Sequence, residues 1–580
     1  MQTHMSVRAT EVDSLDLREN MMRDNSSLRR SDGIRRSSGE VQGHVIDEFV
    51  AQRLDRRDFL RRGALVGLSA SALSVVIDAC GGADSTARGA TTAVAGKPGA
   101  QITVASIVPQ SALNPVTITD VGGYRLLGQT GEYLCVSDPQ LILRPSLATH
   151  WTPDGGSKTW TFHLQRGVTF HNGKSMTADD VVYTFKLNTD PKNSPSALTA
   201  LAGILEPGGV HKVDNFTVRF ELSSACGNFP YLVSSDNYNL IILPHGYDPT
   251  KWDSDFMGTG PFKLASYNTQ QGASFEPYAH YWGKKALPSK TSFMFYQDQN
   301  SQDIALLGGS VDVLSQFDYT GGQAILNGSK VYNLRSSANR QMSLRCDTEP
   351  FTDSRVRRAL ALALDRSVIL KGVYGGYATV GNDSPFAPVF PSTNPHVPQR
   401  RQQLAQARAL LAQAGHSGGF SGTLTTANNL ELPQLAQAIQ NQLQKIGVKL
   451  KLNVETQTAY YGKATFGQSD WLDAPISLVN YGSRAVPNTF LTAAFMTHGK
   501  WNGARFSDHA FDTLARHYIG AVDLQSQQRY AGAMQRLLLA QTPVIVPIFE
   551  NYLAATAKSV SGVEFTPIGH VFLANATKKV

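Results

Sequence analysis

Residues 147–185 constrain this chain more than any other stretch, because strand, turn and helix signals follow one another there in quick succession. From Trp160 to Leu164, aromatic and aliphatic residues alternate with polar ones, which is the period of a half-buried strand. The pair Asn172-Gly173 is typical of a tight turn. This stretch therefore predicts a strand followed by a hairpin.

A helix is predicted directly after the hairpin. Thr177 stands at the N-cap position, and Asp179 and Asp180 fall in the first turn, where carboxylates favour the positive end of the helix dipole. Val181 and Phe185 then have the spacing of one apolar helix face. We therefore interpret the two aspartates as helix-start residues rather than as catalytic acids.

The order of residues in this stretch resembles the signature of the family 5 extracytoplasmic solute-binding proteins of ABC importers, the dipeptide and oligopeptide binders. The blocks that carry the resemblance are Leu147–Val181, Gly258–Leu264 with Tyr281–Gly283 downstream, Gly309–Val313, Pro350–Gly376 and Ala405–Val448. Together they extend the resemblance from about Ile102 to the end of the chain. No block by itself identifies a ligand.

The resemblance implies an α/β fold with two lobes, the periplasmic-binding-protein-like fold of the large class, which has an extra subdomain in lobe I. The hinge of such a protein is crossed twice, so that both ends of the sequence build the first lobe. We place lobe I at residues 101–338 plus 546–580 and lobe II at residues 339–545. At 580 residues and 42% hydrophobic content, the chain can bury a core of this size.

Lobe II contains the clearest helix signals. Apolar residues at helical spacing predict helices at Arg355–Leu370, Leu404–Ala414 and Leu435–Ile446. Gly415 and Gly447 follow the last two, as C-terminal capping glycines do. Alternating apolar residues from Gly447 to Val454 then predict a strand, and this helix–glycine–strand order favours an α/β lobe.

The N-terminal part of the chain resembles an export signal. Arg56 and Arg57 match the twin-arginine motif, and the apolar run Gly63–Ile77 after them is shorter than the about 20 residues that a spanning helix needs. Ile77 to Cys80 resembles a lipoprotein cleavage site, which would make Cys80 the lipidated first residue. We therefore expect residues 55–80 to be a twin-arginine lipoprotein signal.

Polar segments lie on both sides of this signal. Residues 1–54 are mixed in charge, and we expect a disordered extension there unless translation begins at Met21 or Met22. Residues 81–100 are rich in Gly, Ala, Ser and Thr, which predicts a flexible tether. The implied location is the cell envelope, outside the cytoplasmic membrane, as a periplasmic or cell-surface lipoprotein.

Composition and motifs argue against several other functions. Charged residues make up only 17% of the chain, and its net charge of +7 includes no basic run in the mature part, so no nucleic-acid partner is expected. No GxSxG, HExxH or P-loop motif occurs in a convincing context, so we expect no enzyme, no metal site and no cofactor. Cys135, Cys226 and Cys346 leave open either one disulfide or three buried thiols.

Aromatic and polar residues crowd the segment Tyr460–Asn502, which is also rich in Gly, Ser and Pro, as cleft-lining loops are. The alternative for this segment is ordinary packing of aromatic residues in a large lobe. The residues that we expect to contact ligand are Tyr461, Asp470, Trp471, Asn480, Tyr481, Arg484, Asn488 and Trp501.

The peptide-binding members of the family have an aspartate in the corresponding segment, and it holds the α-amine of a peptide. Depending on the alignment, this chain has Asn480 or Ser483 there. Free amino termini should therefore bind poorly unless Asp470 or Asp473 replaces the missing carboxylate. Arg484 would favour an anionic or blocked ligand, unless it pairs with an acid at the cleft rim.

The resemblance implies a monomeric, lipid-anchored receptor that binds a peptide-like solute between two lobes. The receptor would deliver that solute to an ABC permease driven by ATPase subunits. The same fold would also suit a binder of a metal-chelator complex, an oligosaccharide or an anionic small molecule, or an envelope sensor or scaffold.

Overall fold

The computed structural model describes residues 99–154 and 156–579. Arg56, Arg57 and Cys80 lie outside these residues, as do the predicted N-terminal extension and most of the tether. None of the helices within the described ranges combines the length and the apolar character that a bilayer crossing requires.

Seven strands form the first sheet in the part of the chain that the structure describes. In order across the sheet they are Lys330–Leu334, Tyr552–Thr556, Val313–Phe317, Gln101–Ile107, Lys290–Tyr296, Gly272–Pro277 and Phe262–Asn268. The strand Gln101–Ile107 is central and pairs in parallel with both of its neighbours. Its residues Ile102, Val104 and Ala105 are fully buried.

The second sheet has six strands among the described residues. In order they are Ala378–Val380, Val544–Glu550, Asn339–Leu344, Ile476–Tyr481, Ser421–Ala427 and Lys449–Glu455. Every residue of Asn339–Leu344 is buried, because strands cover both of its edges and other elements cover its two faces. This strand is the centre of the second body of the protein.

A third, antiparallel sheet contains the strand predicted at Trp160–Leu164. Its four strands in the described chain are Ala148–Pro153, Thr159–Leu164, Thr217–Glu221 and Val210–Asp214. The prediction of a half-buried strand is confirmed, because burial alternates along Thr159–Leu164, with Trp160 and Phe162 fully buried.

The helix predicted after this hairpin is also confirmed, and it extends over Ala178–Thr189. The backbone N–H of Thr177 donates to Oδ2 of Asp180 at 2.7 Å, as in a capping box. Lys174 and the backbone N–H of His245 both contact the other carboxylate oxygen of Asp180. These contacts give Asp180 a structural role.

The remaining elements cover the three sheets. The α-helices of the described ranges are Val121–Thr130, Ala178–Thr189, Leu198–Leu201, Phe229–Leu232, Trp252–Asp255, Gln299–Leu307, Gln323–Gly328, Ser354–Ala363, Arg366–Tyr374, Leu404–Gln413, Leu432–Leu443, Gln457–Tyr461, Asp470–Asp473, Asn488–Phe490, His509–Gly520 and Leu524–Gln541. Short strand pairs join Cys135–Ser137 to Leu143–Pro145, Val560–Ser561 to Thr577–Lys578, and Glu564–Phe565 to Val571–Phe572.

The predicted helix Arg355–Leu370 is wrong in one respect, because the structure divides it into two helices. The first ends at Ala363, and the second begins at Arg366. Between them, the carboxylate of Asp365 accepts hydrogen bonds from the backbone N–H groups of Ser367 and Val368 at 3.0 and 3.2 Å, which makes it the N-cap of the second helix. The other two predicted helices and the strand after them are found within a few residues of their predicted bounds.

The two parts of one block of the sequence resemblance, Gly258–Leu264 and Tyr281–Gly283, meet at a buried acid of the first body. Glu132 accepts hydrogen bonds from the Thr259 hydroxyl at 2.9 Å, the Tyr281 hydroxyl at 2.7 Å and the Trp282 indole N–H at 2.8 Å. Burial raises the pKa of Glu132 to about 7, although these three hydrogen bonds oppose the change. The contacts explain why residues far apart in the sequence occur together in the signature.

The chain crosses between the first and second sheets twice, after Leu334 and after Glu550. We define lobe I as residues 99–334 and 552–579 and lobe II as residues 339–550. Residues 546–550, which the sequence had assigned to lobe I, pair with Asn339–Leu344 in the second sheet, so the second crossing lies at Asn551. The two crossings touch, because the backbone N–H of Glu550 donates to the Ala338 carbonyl at 2.7 Å.

Candidate functional site

A cavity of about 640 Å³ lies between lobe I and lobe II, beside the two crossings. This volume is typical of pockets for small ligands, which measure roughly 300–1,000 Å³. Ser336, Ala338 and Asn551 of the crossings form part of its wall. A ligand in this cavity would therefore touch both lobes and the segments that join them.

Aromatic side chains of both lobes wall the cavity. They are Tyr124, Tyr231, Tyr238 and Tyr552 of lobe I and Tyr481 and Trp501 of lobe II. The rings of Tyr124 and Tyr238 stack with centroids 4.5 Å apart, and those of Tyr481 and Trp501 stack at 5.9 Å. These walls provide flat apolar surface with hydroxyl groups at its edges.

Four of the eight residues expected from the sequence line this cavity, namely Asn480, Tyr481, Arg484 and Trp501. Asn480 and Tyr481 end the strand Ile476–Tyr481, and Arg484 follows in the loop after it. The strand therefore delivers these side chains to the junction between the lobes.

Tyr461 and Trp471 lie behind the cavity wall. The Tyr461 hydroxyl donates to Oδ1 of Asn480, and the Trp471 ring lies 6.2 Å from that of Tyr481, centroid to centroid. Trp471 is only 6% exposed. These two residues support the lining residues and do not themselves line the cavity.

Asn488 lies at a different contact between the lobes. Its side-chain oxygen accepts a hydrogen bond from the amide of Asn228 of lobe I at 3.2 Å, and both side chains are buried. Gln527 donates to the side-chain oxygen of Asn228 at 3.3 Å. Asn488 therefore joins the lobes away from the lining of the cavity.

Neither of the two aspartates considered as amine anchors lines the cavity. Asp470 is exposed and lies against Glu455, whose pKa is raised by burial and by its hydrogen bond to Asp470. Asp473 forms an ion pair with Arg505 at 2.7 Å and accepts the backbone N–H of Gly467 at 2.7 Å. Both carboxylate oxygens of Asp473 thus already interact with residues of its own lobe.

Arg484 faces the cavity from lobe II. Its backbone N–H donates to the Ser337 hydroxyl at 2.7 Å, and its guanidinium donates to the Ser483 carbonyl at 2.9 Å. Within residues 99–154 and 156–579, no acid forms a salt bridge with it. Burial lowers the pKa of Arg484, and the nearby Tyr238, Tyr124 and Asp236 oppose this change.

A buried charge cluster adjoins the cavity, and sequence reasoning missed it. Arg340 donates to Glu550 at 2.5 Å and to Glu431 at 3.3 Å, and it is about as buried as Glu431, each side chain being 1% exposed. Glu550 is 20% exposed and lines the cavity together with Arg340. No local motif indicates this cluster, because its members come from three distant parts of the chain.

The charge of this cluster depends on Glu431, which directly precedes the helix Leu432–Leu443. Burial and the neighbouring charge of Glu550 raise the pKa of Glu431 to about 7, and Arg340 opposes the change. The buried phenol of Tyr374 and, at longer range, Asp318 are its other titratable neighbours. Near neutral pH, the cluster therefore changes between neutral and singly negative.

Three cysteines and the histidines His163 and His171 lie outside the lining of the cavity. Cys135, Cys226 and Cys346 are free thiols, so the structure has no disulfide among them, and Cys135 and Cys226 are buried whereas Cys346 is only partly buried. His163 stacks on His150 with ring centroids 4.2 Å apart, and His171 contacts the Gly260 carbonyl.

Comparison with known proteins places this geometry in context. A family model for the middle part of bacterial extracellular solute-binding proteins, family 5, matches residues 143–503. The chain is 26% identical over 463 residues to heme-binding protein A of Haemophilus influenzae, covering 74% of this chain and 83% of the relative. It is 25% identical over 459 residues to the dipeptide-binding protein of Escherichia coli K12, covering 73% and 84% of the two chains.

Solved structures have the same fold. HbpA2 from Haemophilus parasuis superposes with a TM-score of 0.72 and 23% identity, covering 83% of this chain and 100% of the other. The ABC transporter-associated periplasmic binding protein DppA from Helicobacter pylori, in complex with the peptide STSA, gives a TM-score of 0.68 and 21% identity, covering 83% and 99%. At these identities the superpositions establish the fold.

Proposed function

The chain belongs to family 5 of the bacterial extracellular solute-binding proteins, the substrate-binding components of ABC importers, and on this premise we propose that it carries a peptide-like solute in the cavity between its lobes. The observation that supports this proposal most is the cavity itself, which has aromatic walls from both lobes and the guanidinium of Arg484, which forms no salt bridge within the described residues. A cavity with apolar walls and few polar groups is the usual form of a small-ligand site.

Seven of the eight residues selected from the sequence have a proposed role. Asn480, Tyr481, Arg484 and Trp501 contact the solute directly, because they line the cavity. Tyr461 and Trp471 position Asn480 and Tyr481 from behind, and Asn488 joins the lobes through Asn228. Asp470 lies at the surface and has no proposed contact with the solute.

The protein acts outside the cytoplasmic membrane together with an ABC permease and its ATPase subunits, as family 5 binding proteins do. We also propose how the protein is exported and how it is anchored to the membrane. Arg56 and Arg57 direct export by the twin-arginine route, and lipidation at Cys80 retains the protein at the membrane as a monomer. Catalysis is not part of the proposal, and the solute leaves the cavity chemically unchanged.

A second candidate function is the transport of an anionic small molecule. The observation that favours it is again Arg484, since a guanidinium binds carboxylate or phosphate with two parallel hydrogen bonds. The names of the relatives do not decide between the two, because they include heme and dipeptide binders.

Native mass spectrometry of the purified full-length chain tests the proposal, because it identifies any solute that co-purifies. We expect a peptide or a peptide-like compound, and we expect Arg484→Ala to release it while the melting temperature of the empty protein stays unchanged. Recovery of an anionic solute without peptide bonds, also released by Arg484→Ala, would favour the second candidate. A solute that Arg484→Ala retains at full occupancy would contradict both.

A further inference from the structure

Two histidines lie side by side on the third sheet, in lobe I. His150 and His163 belong to neighbouring strands and are partners in the antiparallel register. Their rings stack with centroids 4.2 Å apart and an angle of 11° between the ring planes. Both side chains are partly exposed, whereas Phe162 and Leu164, which flank His163, are buried. The stacked pair therefore lies on the outer face of the sheet, where solvent reaches it.

The hydrogen bonds of Thr149 assign the proton of the neutral His150 ring. The Thr149 hydroxyl donates its only proton to the backbone carbonyl of His163 at 3.1 Å. The same hydroxyl oxygen lies 3.0 Å from Nδ1 of His150, so it must accept a hydrogen bond from that nitrogen. Nδ1 of His150 then carries the hydrogen, and Nε2 has a free lone pair.

His163 has a similar arrangement with its partner in the next strand, Thr217. Nδ1 of His163 lies 3.5 Å from the Thr217 hydroxyl, which donates in turn to the carboxylate of Asp214. The Thr217 oxygen thus also faces a ring nitrogen as an acceptor. Neither Nε2 atom of the pair has a hydrogen-bond partner within residues 99–154 and 156–579.

Two free imidazole nitrogens on adjacent rings are suitable ligands for one transition-metal ion. Neutral imidazole binds Zn²⁺, Ni²⁺ and Cu²⁺, with Zn–N distances of about 2.0–2.1 Å. Opposite residues of an antiparallel pair have Cβ atoms about 4.5–5.5 Å apart, so rotation of the side chains brings both rings to one ion. The threonine hydroxyls supply the oxygen partners that metal-binding histidines usually have at the other ring nitrogen.

The local charges favour the neutral rings that a metal ion requires. Burial and the neighbouring ring of His163 lower the pKa of His150. Asp214 adds a negative charge near His163, although Arg166 lies close to the same carboxylate. In the described part of the chain, no group of three or more His, Cys, Asp or Glu side chains is placed to hold an ion. Water would therefore complete the coordination of an ion bound by the pair.

We propose that His150 and His163 form a surface site for a divalent transition-metal ion, which both Nε2 atoms bind. Neither histidine lines the cavity between the lobes, so this site is separate from that of the solute. A bound ion would link two strands of the third sheet and stabilise the folded state. No local motif indicates the site, because strand pairing brings the two histidines together.

Isothermal titration calorimetry of the untagged full-length chain with Ni²⁺ tests the proposal, above the ordinary histidine pKa of about 6.5. We expect wild type to bind one Ni²⁺ ion that His150→Gln and His163→Gln each bind at least about tenfold more weakly, because only one imidazole remains. The control His517→Gln removes an exposed histidine of lobe II that stacks on Tyr530, and it should titrate as wild type does.

The melting temperature provides a second measurement. Ni²⁺ should raise it in wild type and in His517→Gln but not in the other two variants, and without metal all four proteins should melt alike. If only one of the two substitutions weakened Ni²⁺ binding, the two rings would not share an ion, and the proposal would be wrong. If neither did, the stacked pair would serve packing alone.

Electron paramagnetic resonance of wild type with one equivalent of Cu²⁺ decides the question even if a variant fails to fold. Two imidazole nitrogens on the copper ion are expected. A spectrum with one imidazole nitrogen or none would overturn the proposed site.

Discussion

The substitution Asp383→Asn should destabilise lobe II strongly, because Asp383 compensates two buried arginines. Its carboxylate is fully buried and accepts hydrogen bonds from Arg366 at 2.7 and 2.9 Å, from Arg400 at 2.7 Å and from the backbone N–H of Val546 at 3.1 Å. Asparagine has nearly the same size and tolerates the left-handed backbone at this position, where φ is 53°. The change therefore removes charge while it preserves shape.

The expected cost follows from this geometry. Removing one partner of a buried ion pair costs about 3–5 kcal/mol, because an uncompensated charge stays behind. For a unit of roughly 150–250 residues, each kcal/mol lowers the melting temperature by about 2–4 °C, so a decrease of roughly 6–20 °C is expected. The exposed pair Arg219–Glu221 provides the control, since Glu221→Gln should cost less than about 1 kcal/mol.

Urea denaturation followed by hydrogen exchange measures both the size and the place of this effect. Exchange should accelerate in peptides from residues 339–550 and stay unchanged in the first sheet, because Asp383 contacts only lobe II. If Asp383→Asn lost no more stability than the exposed control, the two guanidiniums would have another source of compensation, and the reasoning from buried charge would fail.

Four further results are expected. Since burial and the charge of Glu550 raise the pKa of Glu431 to about 7, ionising Glu431 in the folded protein costs free energy, so the melting temperature should fall from about pH 5 to about pH 7 and fall less in Glu431→Gln. Burial raises the pKa values of Cys135 and Cys226, so a thiol reagent should modify them only after unfolding, and a reductant should leave the melting temperature unchanged. Cys80→Ser should move the protein from the membrane fraction to the soluble envelope or medium fraction, and continued retention would indicate another anchor. Saturating solute should compact the molecule in solution scattering and raise its melting temperature, whereas unchanged dimensions would contradict lobe closure.

Local patterns in the sequence predict local structure well in this protein. The alternation of apolar and polar residues predicts the strand Thr159–Leu164, and the N-cap residue Thr177 predicts the helix after it. Both elements are found there, because each signal depends on residues within a few positions of each other. The helix break at Asp365 was missed, since apolar spacing continues across it and only the side-chain hydrogen bonds reveal the new start.

The candidate site is predictable only in part, for a geometric reason. The composition of segment 460–502 predicts ligand contacts, but it does not tell which of its side chains point toward the cavity and which point away from it. Asn480 and Tyr481 reach the cavity at the end of their strand, and Trp471 packs behind it. Glu550 lies far from this segment in the sequence, so only the tertiary structure brings it to the same wall.

Glu550 directly precedes Asn551, the residue at which the chain crosses between the lobes for the second time, so motion at this crossing moves Glu550. Asn551 donates to the side chain of Asn333, in the last strand of lobe I before the first crossing, at 2.8 Å and accepts from Thr379 of lobe II at 3.2 Å. Rotation of the backbone at this pivot would displace the Glu550 carboxylate together with lobe II. Opening of the lobes would therefore also change the position of the Glu550 charge in the cavity. A substitution at Asn551 would change how long the solute stays bound without altering any atom that contacts it.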